Sequence, residues 1–366
     1  MFILYQAAEW KNLIWFIVTS NNYIDVGHKW TMDVQPERLK EQSQRKRIPL
    51  SNLTNSTNSQ KDDCAKNMVW IENKLSVNQS NWTQQRIPLI IHQTSKSRCM
   101  NRRIAANLYP WMDLPMYEYY FHDDDAVWRL IDQPWPEFPH LKSIIRCLTS
   151  MTGLTDIWRL LVLWEYGGIY SDIDSIPNAK TNLTWTPQNI FPDDDAYLLV
   201  EYYDAPSQYW MALTPRHPLM FYAIHAAMIR LIQVQHVRKV DVSYVTGPFA
   251  LLDAFSWFNR DVGRYVAKPV APGIYYGTNN RSVRLEGYGR ARADDVIKRE
   301  AIYRPRKAAL YASMNMTHFL DDWRVARTSI LYSRTCLAIL YDVDIGPPSW
   351  FVAPPTEDRW TLGGYS

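Results

Sequence analysis

No unbroken apolar run in this 366-residue chain is long enough to span a bilayer. A spanning helix needs about 20 predominantly apolar residues. Met1 to Tyr5 and Leu13 to Val18 are apolar, but Glu9, Lys11 and Asn12 stand between them. The start also lacks the basic leader of a secretion signal. An amphipathic N-terminal segment and a degenerate membrane anchor fit it equally well. Charge of one sign is scarce too: the formal net charge is +3. With no basic stripe or nucleic-acid motif, nucleic acid is excluded as a partner. The Arg45-Lys46-Arg47 triplet reads as a solvated linker. Cysteines number four, Cys64, Cys99, Cys147 and Cys336, with no C-x-x-C pair. That excludes a thiolate metal cluster and permits two disulfides, in any of three pairings. No carboxylate announces itself as a covalent nucleophile.

What is abundant is aromatic side chain, 14% of residues with 16 Trp and 23 Tyr. Flat rings with a polar edge suit sugar faces, although most will be core. The densest information lies between Thr155 and Asp174. Ile157, Leu160, Leu161 and Trp164 recur at helical spacing. Thr155 or Asp156 can cap such a helix, and Gly167-Gly168 can end it. Beyond the glycines the period changes to two, so Tyr170, Asp172 and Asp174 are expected on one side of a strand. A pair of carboxylates so placed can hold a hard divalent cation. Asp156 and Arg159, three apart, share a helix face. The plain alternative is a buried helix followed by a solvated acidic turn.

Residues 48–85 are rich in Asn, Ser, Thr and Gln and read as a flexible stem. Glycosylation acceptor patterns begin at Asn52, Asn55, Asn78 and Asn81, with others at Asn182, Asn280 and Asn315. The chain thus divides into an N-terminal segment (1–47), a stem (48–85), a catalytic region (86–340) and an irregular Pro-containing extension (341–366). In the catalytic region strands are expected at 88–94, 116–121, 169–173, 196–202 and 272–276. Helices are expected at 123–132, 141–148, 156–166, 217–233 and 248–258. This alternation predicts an α/β fold, a mostly parallel sheet with helices on both faces. Ligands then sit beyond the carboxyl ends of the strands.

The helix, double glycine and Asp-x-Asp together resemble glycosyltransferase family 32, sugar transferases of the GT-A fold. Ile87 to Thr94 is similar to the family's opening strand, Tyr117 to Asp125 to its second strand and acidic turn. Leu213 to Pro218, Val245 to Pro248, and His318 with Trp323 resemble later landmarks. The resemblance implies a metal-dependent, retaining transfer of a hexose from a nucleotide sugar to a glycan or glycolipid. Mannose from GDP-mannose is favoured by similarity to the fungal mannosyltransferase branch. Asp172 and Asp174 would hold Mn²⁺ or Mg²⁺, with His318 a further candidate ligand. His92, Gln93, Thr94 and Asp172 would line the nucleotide sugar, and Asp156 and Arg159 would hold the donor hexose. It also implies a Golgi or other secretory-lumen location, with membrane association through the N-terminus. Two alternatives stay open. Ser95 stands where the family commonly has a stacking aromatic, and Asp322 where it has a small residue. A protein that binds sugar or nucleotide sugar without turnover therefore remains in view. A glycoside hydrolase would need its carboxylates across the sugar from one another, which a pair on one strand suits poorly.

Overall fold

The computed structural model describes residues 46–55, 64–75 and, apart from short internal gaps, 85–287, with Ala312 and Met314. In chain order its elements are α1 (Leu50–Leu53), β1 (Met68–Trp70), β2 (Ile90–Thr94), β3 (Cys99–Asn101) and α2 (Arg102–Met112). Next come β4 (Glu118–His122), α3 (Asp124–Ile131), α4 (Leu141–Arg146), α5 (Met151–Tyr166) and β5 (Gly168–Ser171). They are followed by β6 (Ala196–Val200), β7 (Pro206–Leu213), α6 (Pro218–Gln233), α7 (Val242–Val245), α8 (Pro248–Arg260), β8 (Gly273–Tyr276) and β9 (Ser282–Gly287).

Seven strands form one sheet in the order β4-β2-β5-β7-β6-β9-β8. The pairings make β4, β2, β5, β6 and β9 run one way and β7 and β8 the other, so the sheet is mostly parallel. Side-chain alternation divides its strands between two apolar layers. Ile90, Tyr120, Leu198, Met211 and Leu285 pack with α3, α4, α5, α6 and α8. Ile91, Tyr119, Phe121, Leu199 and Trp210 pack on the other face against Ile104, Leu108 and Trp111 of α2. Helices thus cover both faces, as the sequence predicts.

The expected elements are all present, with shifted ends. Helix α5 starts at Met151, because Ser150 rather than Thr155 or Asp156 is its N-cap and accepts from the Gly153 amide. Strand β5 ends at Ser171, so neither Asp172 nor Asp174 is on a strand. The chain turns instead, and the Ser175 amide donates to the Asp172 carbonyl at 3.1 Å. Strand β7 is absent from the sequence-based expectation. Its Pro206-Ser207-Gln208 opening hides an eight-residue, almost wholly buried strand. Helix α2, with Pro110 inside it, and the charged strand β9 also escaped that reading.

Part of the expected stem is packed structure. Arg98, 2% exposed, donates to the carbonyls of Thr54, Ile71 and Phe121 and so ties residues 54 and 71 to the end of β4. Lys74 and Tyr119 exchange backbone hydrogen bonds at the edge of the sheet. Cys64 is disulfide-bonded to Cys99 of β3. Residues 48–54 and 64–75 therefore belong to the domain and cannot serve as a flexible spacer. Cys147 and Cys336 lie outside the described residues.

The double glycine is required by geometry. Gly167 and Gly168 have φ of 66° and 90°. A Cβ on Gly168 would stand 2.6 Å from the Ile90 carbonyl oxygen, and one on Gly167 would stand 2.6 Å from the Pro215 nitrogen. The helix end is further held by Arg216, whose amide donates to the Trp164 carbonyl at 2.8 Å. Its guanidinium pairs with the buried carboxylates of Glu137 and Glu165. Gly168→Ala should lower stability by about 2 kcal/mol or more, through strained φ and backbone overlap. Urea denaturation followed by tryptophan fluorescence measures this; an unchanged midpoint would show that the turn relaxes freely.

Candidate active site

The site is built where α5 passes the carboxyl end of β5. From α5, Asp156 and Arg159 come together as the spacing predicts, with Arg159 Nη2 3.2 Å from Asp156 Oδ1. Glu165, further along the same helix, pairs with Arg216. Arg159 Nη2 also lies 3.6 Å from Asp172 Oδ1, and its guanidinium sits over the Tyr170 ring, 4.7 Å from the centroid. A cation over a phenol face is attracted by the ring quadrupole. The Tyr170 hydroxyl donates to Asp172 Oδ1 at 2.6 Å. One guanidinium, two carboxylates and one phenol thus share a nearly enclosed space, since Asp156 and Arg159 are 6% and 9% exposed.

Asp172 is held from both sides of its backbone. Its amide donates to the Tyr209 carbonyl of β7 at 2.9 Å, and its carbonyl accepts from Gln93 Nε2 at 3.2 Å. Its Oδ1 is engaged by Tyr170 and Arg159, and Oδ2 makes no hydrogen bond among the described residues. Burial and the neighbouring Asp174 and Asp156 charges push the Asp172 carboxyl up to about 6, against the opposing pull of Arg159 and the Tyr170 hydroxyl. An oxygen-only pair of carboxylates fits a hard divalent cation. Among the described residues no three His, Cys, Asp or Glu side chains gather to hold an ion. Asp172 and Asp174 are the pair that could hold one.

The β2 residues predicted to line a nucleotide are placed behind the site. His92 is fully buried, with Nε2 3.0 Å from the Gly167 carbonyl and Nδ1 3.1 Å from His122 Nε2. Burial lowers His92 to about 4 and His122 well below its ordinary value, so both rings are neutral. The carbonyl can only accept, so His92 carries its proton on Nε2 and accepts from His122 on Nδ1. Both nitrogens are used, and His92 braces the glycine turn rather than offering itself to a ligand. Gln93 is likewise internal: it donates to the Asp172 carbonyl and accepts from the Tyr119 hydroxyl at 3.0 Å. Its part is to hold the acidic turn. Thr94, half-buried, donates to the His122 carbonyl at 2.8 Å. Ser95 is buried, and its amide donates to that same carbonyl at 3.2 Å. Asp123 caps α3 through the Ala126 amide. His318 and Trp323 lie outside the described residues.

Three participants were not singled out as site residues. Tyr170 stood inside the period-two run, and Thr246 inside a quoted landmark. Gln208 left no local signal, because every partner it has here lies at least 38 positions away.

Residues 50–192 match the family described as "Glycosyltransferase sugar-binding region containing DXD motif". The match covers less than half of the chain, and Asp156, Arg159 and Asp172-Ile173-Asp174 fall inside it. The chain is also similar to "Inositol phosphoceramide mannosyltransferase 3" of Schizosaccharomyces pombe, 28% identical over 173 residues. That match spans 45% of this chain and 44% of the relative, so the chain covers less than half of the relative's length. A solved structure titled "PaToxG Glycosyltransferase" is 19% identical, with a TM-score of 0.33, over 48% of this chain and 70% of the other.

The raised Asp172 value carries a stability consequence. A carboxyl whose folded value lies above its unfolded one contributes most at low pH, and the contribution is lost as pH rises through the folded value. By that sign, the ionised Asp172 side chain costs stability at neutral pH. Asp172→Asn should melt at the same temperature as wild type or higher at pH 7.5 in EDTA, with the gap closing below about pH 4. Scanning calorimetry at both pH values is the check; a clear loss of melting temperature at pH 7.5 would show that the charge supports the fold.

Proposed function

We propose that the protein transfers a hexose, with retention, from a nucleotide sugar to a hydroxyl of a glycan or glycolipid. The supporting observation is the meeting of Asp156, Arg159 and Asp172 at the carboxyl end of β5, inside the sugar-binding match. In the reaction the bond between the sugar C1 and the diphosphate oxygen breaks, and a bond from C1 to the acceptor oxygen forms. The acceptor proton is released, and the nucleoside diphosphate departs with its charge. Asp172 and Asp174 would hold a divalent cation, Mn²⁺ or Mg²⁺, which when bound offsets the charge of the diphosphate.

The chain's own residues do the rest. The Asp156 carboxylate accepts from donor-sugar hydroxyls, while the Arg159 fork donates and tolerates negative charge building on the leaving group. Tyr170 keeps the Asp172 carboxylate turned and the guanidinium flat above its ring. Gln93 and the Tyr209 carbonyl hold the acidic turn in register with the sheet. Such a site works by positioning and charge stabilisation more than by covalent chemistry.

Mannose is the favoured hexose and GDP-mannose the favoured donor, on the likeness to a relative whose name includes mannosyltransferase. A secretory-pathway lumen is the favoured location. The Cys64–Cys99 disulfide suits an oxidising compartment, and the acceptor asparagines Asn52 and Asn280 are exposed. Among the described residues no helix is long and apolar enough to cross a membrane.

The test is a panel of nucleotide sugars assayed for hydrolysis and transfer with Mn²⁺, Mg²⁺ or EDTA. The expected result is a preference for GDP-mannose, dependence on added cation, and loss of turnover in Asp172→Ala and Asp174→Ala with the folded state kept. Full activity of either variant in EDTA would remove the carboxylate pair from the reaction. Binding of a nucleotide sugar without any turnover would favour a non-catalytic sugar-nucleotide receptor.

A further inference from the structure

The Asp156–Arg159 pair does not stand alone on its helix. Arg159 Nη1 donates to the Gln208 carbonyl of β7 at 3.1 Å. Gln208 turns its side-chain amide to the start of α8, where Nε2 donates to the carbonyls of Thr246 at 3.1 Å and Gly247 at 2.9 Å. The Thr246 hydroxyl then donates to Asp156 Oδ2 at 2.8 Å. The links close a ring: Arg159 to Asp156, Asp156 to Thr246, Thr246 to Gln208, and Gln208 back to Arg159. All four residues are at most 9% exposed, with Thr246 and Gln208 at 0% and 1%. The ring joins one helix, one strand and the N-terminus of another helix, none of them neighbours in sequence.

The ring fixes more than location. Thr246 on Oδ2 and Arg159 on Oδ1 set the plane of the Asp156 carboxylate, and hence which lone pairs remain for a ligand. Both hydrogens of the Gln208 amide are spent on carbonyls, which settles its orientation, and its Oε1 is buried with no hydrogen-bond partner among the described residues. A buried acceptor left unpaired is costly and uncommon outside functional sites. The Thr246 hydroxyl also lies 3.4 Å from the Val242 carbonyl, a longer contact than the 2.8 Å one to Asp156. Its strong bond goes to the carboxylate.

We propose that Thr246 and Gln208 are positioning residues for donor-sugar recognition, holding Asp156 and Arg159 at the angle that tells a hexose diphosphate from the bare nucleoside diphosphate. This rests on the transfer reading above, and it concerns the sugar rather than the nucleotide. Neither side chain hydrogen-bonds to Asp172 or Asp174, the pair that would hold the cation. Their loss should therefore leave the affinity for a bare diphosphate alone.

The experiment measures dissociation constants for GDP-mannose, GDP, UDP-galactose and UDP in Mn²⁺, with kcat and KM for donor hydrolysis. It compares wild type, Thr246→Val, Thr246→Ser and Gln208→Met. Valine keeps the shape of threonine and removes only the hydroxyl. Thr246→Val should lower kcat/KM by about tenfold or more and erase most of the preference for the sugar nucleotide, with the GDP or UDP constant within about twofold of wild type. Thr246→Ser, which keeps the hydroxyl, should restore both, and Gln208→Met should resemble Thr246→Val. A merely structural role would depress bare diphosphate affinity and activity together, without rescue by serine, and that result overturns the proposal. A wild type that prefers the sugar nucleotide while Thr246→Val keeps the whole preference overturns this inference and leaves the transfer reading intact. A wild type with no preference for any sugar nucleotide, and no hydrolysis, overturns both.

Discussion

One guanidinium drawing two carboxylates together governs the centre of this protein. Arg159 brings one positive charge into a nearly enclosed space, and Asp156 and Asp172 bring two negative ones within 3.2 and 3.6 Å of it. Buried charges are tolerated when paired and hydrogen-bonded, and a residual charge calls for a counter-ion or a proton. Burial first, and then the neighbouring Asp174 and Asp156 charges, push the Asp172 carboxyl up to about 6. In the proposed reaction a cation with a diphosphate would offset that charge.

The surroundings are arranged to keep the charges from relaxing away from one another. The two glycines let α5 turn straight into β5 at backbone conformations other residues resist, so Arg159 and Asp172 meet although one is on a helix and the other beyond a strand. His92 locks that turn from below through the Gly167 carbonyl, and Gln93 locks the acidic turn through the Asp172 carbonyl. Buried side chains of β2 thus do their work through backbone atoms. Their polar character in an otherwise apolar strand invites a ligand-binding reading, yet they are spent on the frame.

The polar composition of residues 48–85 misleads for a related reason. Segments at either end of that region dock through the backbone carbonyls of Thr54 and Ile71 onto a single buried arginine, Arg98, and through the bond between Cys64 and Cys99. Docking of this kind needs few apolar residues of its own, so low hydropathy does not betray it. Strand β7 was hidden by the opposite means. Its polar opening residues sit in the middle of the sheet, where Gln208 satisfies the carbonyls of Thr246 and Gly247 just before α8 and Tyr209 receives the Asp172 amide.

By itself the sequence determined whatever depends on neighbours along the chain. The helical spacing from Ile157 to Trp164, the glycine stop, the pairing of Asp156 with Arg159 and the α/β alternation are local, because helices and strands repeat over a few residues. Tertiary structure alone decided that Asp172 would share its oxygen with Tyr170 and Arg159, that His92 and Gln93 would face inward, and that Gln208 and Thr246 would close on Asp156 and Arg159. Those outcomes come from strand register and helix packing, which join residues dozens of positions apart. No spacing rule along the chain encodes which carbonyl a distant amide will find.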